Sequence, residues 1–290
     1  MSNIREIKRR IRAIKNIQHV TGAMKMVAAA KLRRAQAQVL DSRPYAYKTV
    51  EVAGRLAMAP EARQLPLVAS REVKKRAYLL IVGDRGLAGA YNANLIHLAE
   101  DCLAKSDQPS ALVIVGRKGV QYFRRRPIEI LKFYQDIGDA PGLPLARELA
   151  RGLMEMFLTG QIDEVNLVYA HFYSALRYDP RVERLLPIEP PSMEGVAAID
   201  YTYEPEPMAV LEAVLPRFCE VKVYQALLEA KASELSARMV AMEGATRNSR
   251  EMIDQLTLSF NKARQNAITT ELLEVASCAE ALKAQGEGGI

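Results

Sequence analysis

From Arg217 to Lys283 the chain contains no proline, and Gly244 is the only glycine. Nothing in that stretch punctuates a helix, so it reads as a single one. At ~1.5 Å per residue it makes a rod on the order of 100 Å. So long a helix needs a partner for its apolar stripe. Leu235, Met239, Met242, Thr246, Ser249, Ile253, Leu256, Phe260, Ala263 and Ala267 step alternately by four and three. That is coiled-coil spacing with polar interruptions at Thr246 and Ser249. Pro205 and Pro207 stand at the entrance, and Pro216 is expected to kink the first turns.

The N-terminus carries a matching pattern. Ile4, Ile7, Ile11, Ile14 and Ile17 are three and four apart. Val20 or Thr21, Met24, Val27 or Ala28, Leu32, Ala35 and Val39 continue the stripe for about five heptads. Pro44 restricts Arg43, so a kink or break is expected there, with further helix to about Met58. Two long helices with one seam each predict that the chain ends fold back and pair antiparallel.

Between them the period changes. Segments 76–83, 111–116, 128–134 and 163–173 read as buried strands, 182–188 as a fifth and 199–203 as a possible sixth. Helices are expected from 91 to 105 and from 145 to 158. Alternating strands and helices imply a largely parallel sheet covered on both faces. The predicted fold is therefore α/β plus long helices. An antiparallel coiled coil of the N- and C-terminal helices carries a Rossmann-like three-layer α/β/α domain inserted between them. The expected boundaries are 1–58, 75–205 and 206–285.

The surface of the first helix is of one sign. Arg5, Lys8, Arg9, Arg10, Arg12, Lys15, Lys25, Lys31, Arg33 and Arg34 face a single acid, Glu6, in residues 1–35. Such a helix repels itself unless a partner supplies anions. The C-terminal helix offers Glu220, Glu229 and Glu234. Near its far end, Glu271, Glu274 and Glu280 stand against Lys262, Arg264 and Lys283. A DNA-binding zipper places its arginines ahead of the seam, whereas here charge and seam coincide. An interfacial membrane helix wants Trp, Phe or Leu where this one has Ala. The net charge of +6 fits an acidic partner. Cys102, Cys219 and Cys278 are widely separated and form no metal spacing, which favours a reducing compartment. No apolar run reaches the ~18 residues of a membrane span, and the charged start is not a secretory leader.

The loop GDRGLAG, 83–89, follows a strand and precedes a helix. Gly83, Gly86 and Gly89 could cradle a phosphate there. The spacing is not GxGxxG, however, and no Lys-Ser/Thr follows. Asp84 and Arg85 read more readily as parts of a structural turn. His19, His97 and His171 stand in different elements with no carboxylate spaced around them, so each is expected to pack or face solvent. No nucleophile–base set is visible.

Three blocks together resemble the gamma subunit of F-type ATP synthases. They are IKRRIRAIKNIQHVTGAMKMVAAAKLRRAQ at the N-terminus, GDRGLAGAYNAN at 83–94 and SELSARMVAMEGATRNSREMIDQLTLSFNKARQNAITTELLEV at 233–275. The resemblance spans the whole chain in the family's order. It implies the central shaft of a rotary motor. The coiled coil would enter a ring of three alpha and three beta subunits. The α/β domain would stand below with the epsilon subunit on the c-ring. Proton flow would turn the shaft and drive the beta sites through their states. The implied location is the cytoplasmic side of a bacterial plasma membrane, peripherally bound, with no nucleic acid and no direct insertion. The implied subunit binds no cofactor or metal and has no catalytic site, since ATP, ADP and Mg bind alpha and beta.

The resemblance also assigns residues. Met24 would pass an acidic beta loop, and Lys25 departs from members with an acid there. Arg264 and Gln265 match the KARQ motif that contacts beta, with Thr269, Glu271 and Glu274 following on one face. Spacing alone would leave Gln265 and Thr269 as ordinary helix surface. Ile7, Ile11, Ile14, Met239, Met242, Ile253, Leu256 and Phe260 are expected in the seam. Gly83, Asp84, Arg85, Gly86 and Gly89 become turn and close-packing devices. Two other readings stay open at this point: a dinucleotide-binding oxidoreductase with helical extensions, and a basic coiled-coil nucleic-acid binder.

Overall fold

The computed structural model of the protein describes residues 2–56, 65–189 and 207–287. The expected sixth strand at 199–203 lies outside these residues. The elements are α1 (Ser2–Leu56), β1 (Arg76–Ile81), α2 (Tyr91–Ala104), β2 (Ser110–Val115), α3 (Arg117–Phe123), β3 (Glu129–Tyr134), α4 (Leu143–Leu158), β4 (Glu164–Ser174), β5 (Arg177–Leu186) and α5 (Pro207–Glu287). They form two compact units. One is Val27–Ala241, and the other joins the chain ends, Met1–Met26 and Met242–Ile290.

In the larger unit the sheet order is β3-β2-β1-β4-β5. The first four strands are parallel, and β5 returns antiparallel to β4. Alternate residues of each strand face opposite sides. Tyr78, Leu80, Leu112 and Ile114 pack under α2 and α3 through Tyr91, Leu95, Val120 and Phe123. Leu79, Ile81, Val113 and Leu167 pack under α4 through Leu149, Leu153 and Phe157. The crossovers that move one way from β1 thus lie on one face, and the crossover back to β4 lies on the other, as right-handed connections require. The last strand begins at Arg177, earlier than the expected 182, and holds Pro180 opposite Ala170. At the sheet edge a residue without an N–H costs no ladder bond. The seven-residue α3 has too little periodic sequence to be read in advance.

Both long helices run through their prolines, so of the kink or break expected at Pro44 there is no break. A mid-helix proline costs about 3 kcal/mol and removes one backbone bond. Packing on either side outweighs that cost. Val39 and Ala53 are fully buried, and the Ser42 hydroxyl lies within reach of the Val39 carbonyl at 2.9 Å and Gln225 Oε1 at 2.8 Å. Within the same unit α1 and α5 meet through Leu32, Ala35, Val39, Leu228, Ala232 and Leu235, with Met239 packed beside them.

In the smaller unit the two ends pair antiparallel. The Thr246 hydroxyl donates to Thr21 Oγ1 at 2.8 Å, and Lys25 pairs with Glu243, so numbers rise on one helix as they fall on the other. The half-buried line on α1 is Ile4, Ile7, Ile11, Ile14, Gln18, Thr21 and Lys25. Ile17 is 52% exposed, which corrects the stripe read through it, and of Val20 or Thr21 it is Thr21 that is half-buried. A strict alternation of three and four from Ile14 lands on Gln18, whose polarity hid it. At the next ambiguous pair, in the larger unit, Ala28 is buried and Val27 is exposed.

Candidate functional site

Three surfaces carried functional expectations, the loop after β1, the basic face of α1 with Met24 and Lys25, and the far part of α5. The loop sits at the carboxyl edge of the sheet beside β4, where the strand order reverses: the crossover that leaves β1 lies on one face and the crossover that enters β4 on the other. Such a switch point is the usual ligand crevice of an open α/β sheet. Here α5 fills it. The Tyr91 hydroxyl donates to the Ala230 carbonyl at 2.9 Å, and Ser233 Oγ donates to the Ala170 carbonyl at 3.1 Å. A side chain at Gly83 would meet Glu234 Oε1 at 2.9 Å, so any other residue there has to displace that carboxylate. Burial, then the Glu234 charge, pushes the Tyr91 hydroxyl far above its ordinary pKa. A narrow gap of about 30 Å³ remains beside Asp84, Tyr91, Lys231 and Glu234. That is room for about one water.

Asp84 occupies the position an anion would take. Its Oδ1 accepts from Arg117 N at 2.9 Å and Asp136 N at 3.1 Å, and its Oδ2 accepts from Ile137 N at 3.1 Å. One carboxylate thereby ties the β1 loop to the start of α3 and to the segment after β3. Gly83 N donates to Asn92 Oδ1 at 2.9 Å, and Asn92 Nδ2 donates to the Arg85 carbonyl at 3.3 Å. The Gly86 carbonyl accepts from Arg238 at 3.4 Å. Gly89 has φ 56°, which glycine adopts without strain. These five residues therefore form a turn anchored to α5. Arg85 itself is exposed.

Glu220, Glu229 and Glu234, the acids of α5 offered to the N-terminal cations, pair elsewhere, and it is Glu243 that meets one of them, Lys25. Glu220 meets Arg147, Arg151 and Arg217, and Glu234 meets Lys231 and Arg238. Buried Glu229 meets His171 and Arg43. His171 thus has a carboxylate partner after all, one that lies too far along the chain to be seen by spacing. Among the described residues, the ion pairs of that basic set are Arg10–Glu6, Lys25–Glu243 and Lys31–Asp139. The hydrogen bond from Lys31, at 2.6 Å, holds the Asp139 carboxyl below its usual range. The rest of the set is exposed.

On α5 from Met242 onward, Ile253, Leu256, Phe260, Ala263 and Ala267 are half-buried, while Met242 and Ser249 are buried. Ile7, Ile11 and Ile14 are half-buried on α1. Arg264, Gln265, Glu271 and Glu274 are exposed, as is Thr269, whose hydroxyl donates back to the Gln265 carbonyl at 3.0 Å. From Ile268 to Ala279 every described side chain is exposed, including Leu272, Leu273 and Val275 at 62–65%. Met24 is half-buried, and Met26 is 68% exposed. An exposed apolar stretch of this kind is a candidate interaction surface. No helix is long and apolar enough to cross a membrane, and no group of three metal-ligating side chains occurs, among the described residues.

Comparison with known proteins follows the same lines. A family model described as ATP synthase matches residues 3–282. The chain is 61% identical to the ATP synthase gamma chain of Moorella thermoacetica over 98% of its own length and 100% of that protein's. It is 47% identical to the ATP synthase gamma chain of Heliobacterium modesticaldum, over 97% and 100%. Among solved structures, a chain of the Tetrahymena thermophila mitochondrial ATP synthase central stalk and c-ring is 25% identical, with a TM-score of 0.61. That match covers 78% of this chain and 99% of the other. A chain of the Euglena gracilis mitochondrial ATP synthase shares the fold at a TM-score of 0.72 and 20% identity, covering 100% and 97%.

Proposed function

This chain belongs to the ATP synthase gamma chain family, and from that premise we propose that it is the central rotor shaft of an F-type ATP synthase. The observation that carries the reading is the match to a gamma chain at 61% identity over 98% of this chain and 100% of that protein. The paired helix ends enter a ring of three alpha and three beta subunits. The α/β body stands outside it with epsilon and meets the c-ring. The complex is held peripherally at the cytoplasmic face of a bacterial plasma membrane. Proton flow through the c-ring turns the shaft, and the shaft's unequal sides open and close the beta sites in turn.

The chain performs no chemistry of its own and holds no nucleotide or metal. The support is geometric: α5 fills the crevice in which an α/β sheet would hold a nucleotide, and Asp84 takes the backbone N–H groups that would hold a phosphate. The exposed cations of α1, with Met24 and Lys25, and Arg264, Gln265, Thr269, Glu271 and Glu274 on α5, form the moving contact with the beta loops. Exposed ion pairs are worth on the order of 0–1 kcal/mol each. Contacts that weak exchange between equivalent partners, whereas strong ones would stall rotation. Methionine and alanine pack without a unique fit, which suits a sliding surface.

The test is expression with alpha, beta and epsilon subunits. The expected result is a complex that retains this chain through purification and hydrolyses ATP, while the isolated chain does not. Nucleotide turnover that follows this chain free of beta would sink the reading.

A further inference from the structure

In its first half, α5 is buried on nearly every side. From Ala226 to Ser236 each residue is buried except Lys231. The segment reads ALLEAKASELS, small and polar residues interleaved with leucine. Small side chains let a helix lie close against two neighbours at once. What the polar ones do there is more specific. Ser233 and Ser236, 0% and 1% exposed, do not bond back to their own helix, as Ser249 and Ser259 do. Ser233 Oγ donates to the Ala170 carbonyl, beyond the last β1–β4 pair at Leu80–Val168. Ser236 Oγ donates at 2.6 Å to the Ala175 carbonyl in the β4–β5 turn. The Ala230 carbonyl accepts from Tyr91, and Arg238, held by Glu234 at 2.5 Å, donates to the Gly86 carbonyl.

At ~100° per residue, positions 230, 233, 236 and 238 fan over about 200° of the helix circumference. They grip the β1 loop with the start of α2, the end of β4 and the β4–β5 turn. The remaining arc, with Ala232 and Leu235, faces α1 chiefly through apolar contact, with Gln225 Oε1 within reach of the Ser42 hydroxyl at 2.8 Å and Glu229 meeting Arg43 beside it. Apolar contact is non-directional and yields to sliding. Buried hydrogen bonds are directional, and leaving a partner unpaired is costly. By contrast, α1 reaches the rest of this unit with long cations whose side chains remain partly exposed, Lys31 on Asp139 and Arg43 on the Phe172 carbonyl.

We propose that α5, not α1, is keyed to the α/β body, and that Ser233, Ser236, Tyr91 and Arg238 are the keys through which torque passes between shaft and body. This inference rests on the rotor reading above. The residues touch no substrate; they position the body on the shaft.

The test uses the assembled complex, fixed by its ring, with a bead on the body through Asp107→Cys in a Cys278→Ser background. The angular variance of the bead during a catalytic pause reports torsional stiffness. If the four keys add as independent springs, Ser233→Ala with Ser236→Ala should widen that variance about twofold. Lys31→Ala should leave it unchanged, and unloaded ATP hydrolysis should stay at the wild-type rate in both. Should the double variant fail to assemble, Ser236→Ala alone must still widen the variance. An unchanged variance in the serine variants, or an equal widening in Lys31→Ala, would overturn the proposal. A wild-type body that does not turn with ATP would instead overturn the rotor reading on which it stands.

Discussion

The two units of this chain share the same two helices and are held together in different ways. In the body, strands and helices bury Leu79, Leu95, Leu112, Phe123, Leu153 and Phe157 almost completely. In the paired ends, Met242 and Ser249 are the buried residues among the described side chains, and the seam is otherwise half-buried. Its centre is polar, with Gln18, Thr21 and Thr246 at seam positions. The body therefore has the directional and apolar contacts of a rigid anchor. The ends have enough burial to stay paired and little that fixes one face of the pair against a neighbour. A body that must hold still on its helices and a shaft tip that must move past its partners call for these two opposite solutions.

The largest expected effect breaks the body. Phe157→Ala removes a ring at 1% exposure from beneath the sheet and should cost about 3–5 kcal/mol. Denaturant unfolding of the isolated chain measures it, and an unchanged midpoint would contradict the core assignment. Next comes the seam. Ile11→Asp places a charge on the half-buried line and should cost about 1–3 kcal/mol. Ile17→Asp, on the exposed side, should stay within about 0.5 kcal/mol. Equal losses from the two would show that the ends do not pair along Ile14, Gln18 and Thr21.

Acid sharpens the comparison further. Burial pushes the Asp163 carboxyl up. The backbone N–H groups of Lys74 and Lys75, at 2.9 and 3.0 Å, and Arg71 outweigh it, and the net shift is downward. Glu183 behaves alike, with Lys222 and the Tyr169 hydroxyl opposing burial. A depressed folded value means stability that is present above the ordinary carboxyl pKa of about 4 and is lost as pH falls through the folded one. Asp163→Asn should flatten that acid limb of the stability–pH curve. An identical limb in the variant would remove Asp163 from the account. The smallest effect on folding belongs to Arg264→Ala with Gln265→Ala. Alanine keeps the helix, and stability should shift by no more than about 0.5 kcal/mol. In the complex the same pair should lower ATP turnover and its coupling to proton pumping, in part and not completely. Wild-type turnover and coupling would leave this face an ordinary helix surface.

The fold was legible wherever a pattern was local and periodic. The strands announced themselves as apolar runs such as AYLLIVG, and the long helices by the absence of punctuation. The helix does not break at Pro44, because local geometry there is overridden by the burial of Val39 and Ala53. Ile17 misled because isoleucine outranks glutamine on any apolar scale, while the register selects position 18. The polar keys of the body were illegible for another reason. Ser233 finds the Ala170 carbonyl across 63 residues, and Glu229 finds His171 across 58, so no spacing rule reaches them. Even so, a run of small and polar residues inside a helix is a sign of close packing on more than one side. The assignment of Arg264 and Gln265 came from resemblance alone, since an exposed helix surface has no periodicity that tells a handhold from a solvated face.

The central claim is that this chain turns. It is tested most directly by fixing a complex of this chain with alpha and beta subunits to a surface and following a bead on the α/β body. The account predicts ATP-driven rotation in one direction, with three pauses per turn, one for each beta site. ATP hydrolysis at full rate with the body stationary would contradict it.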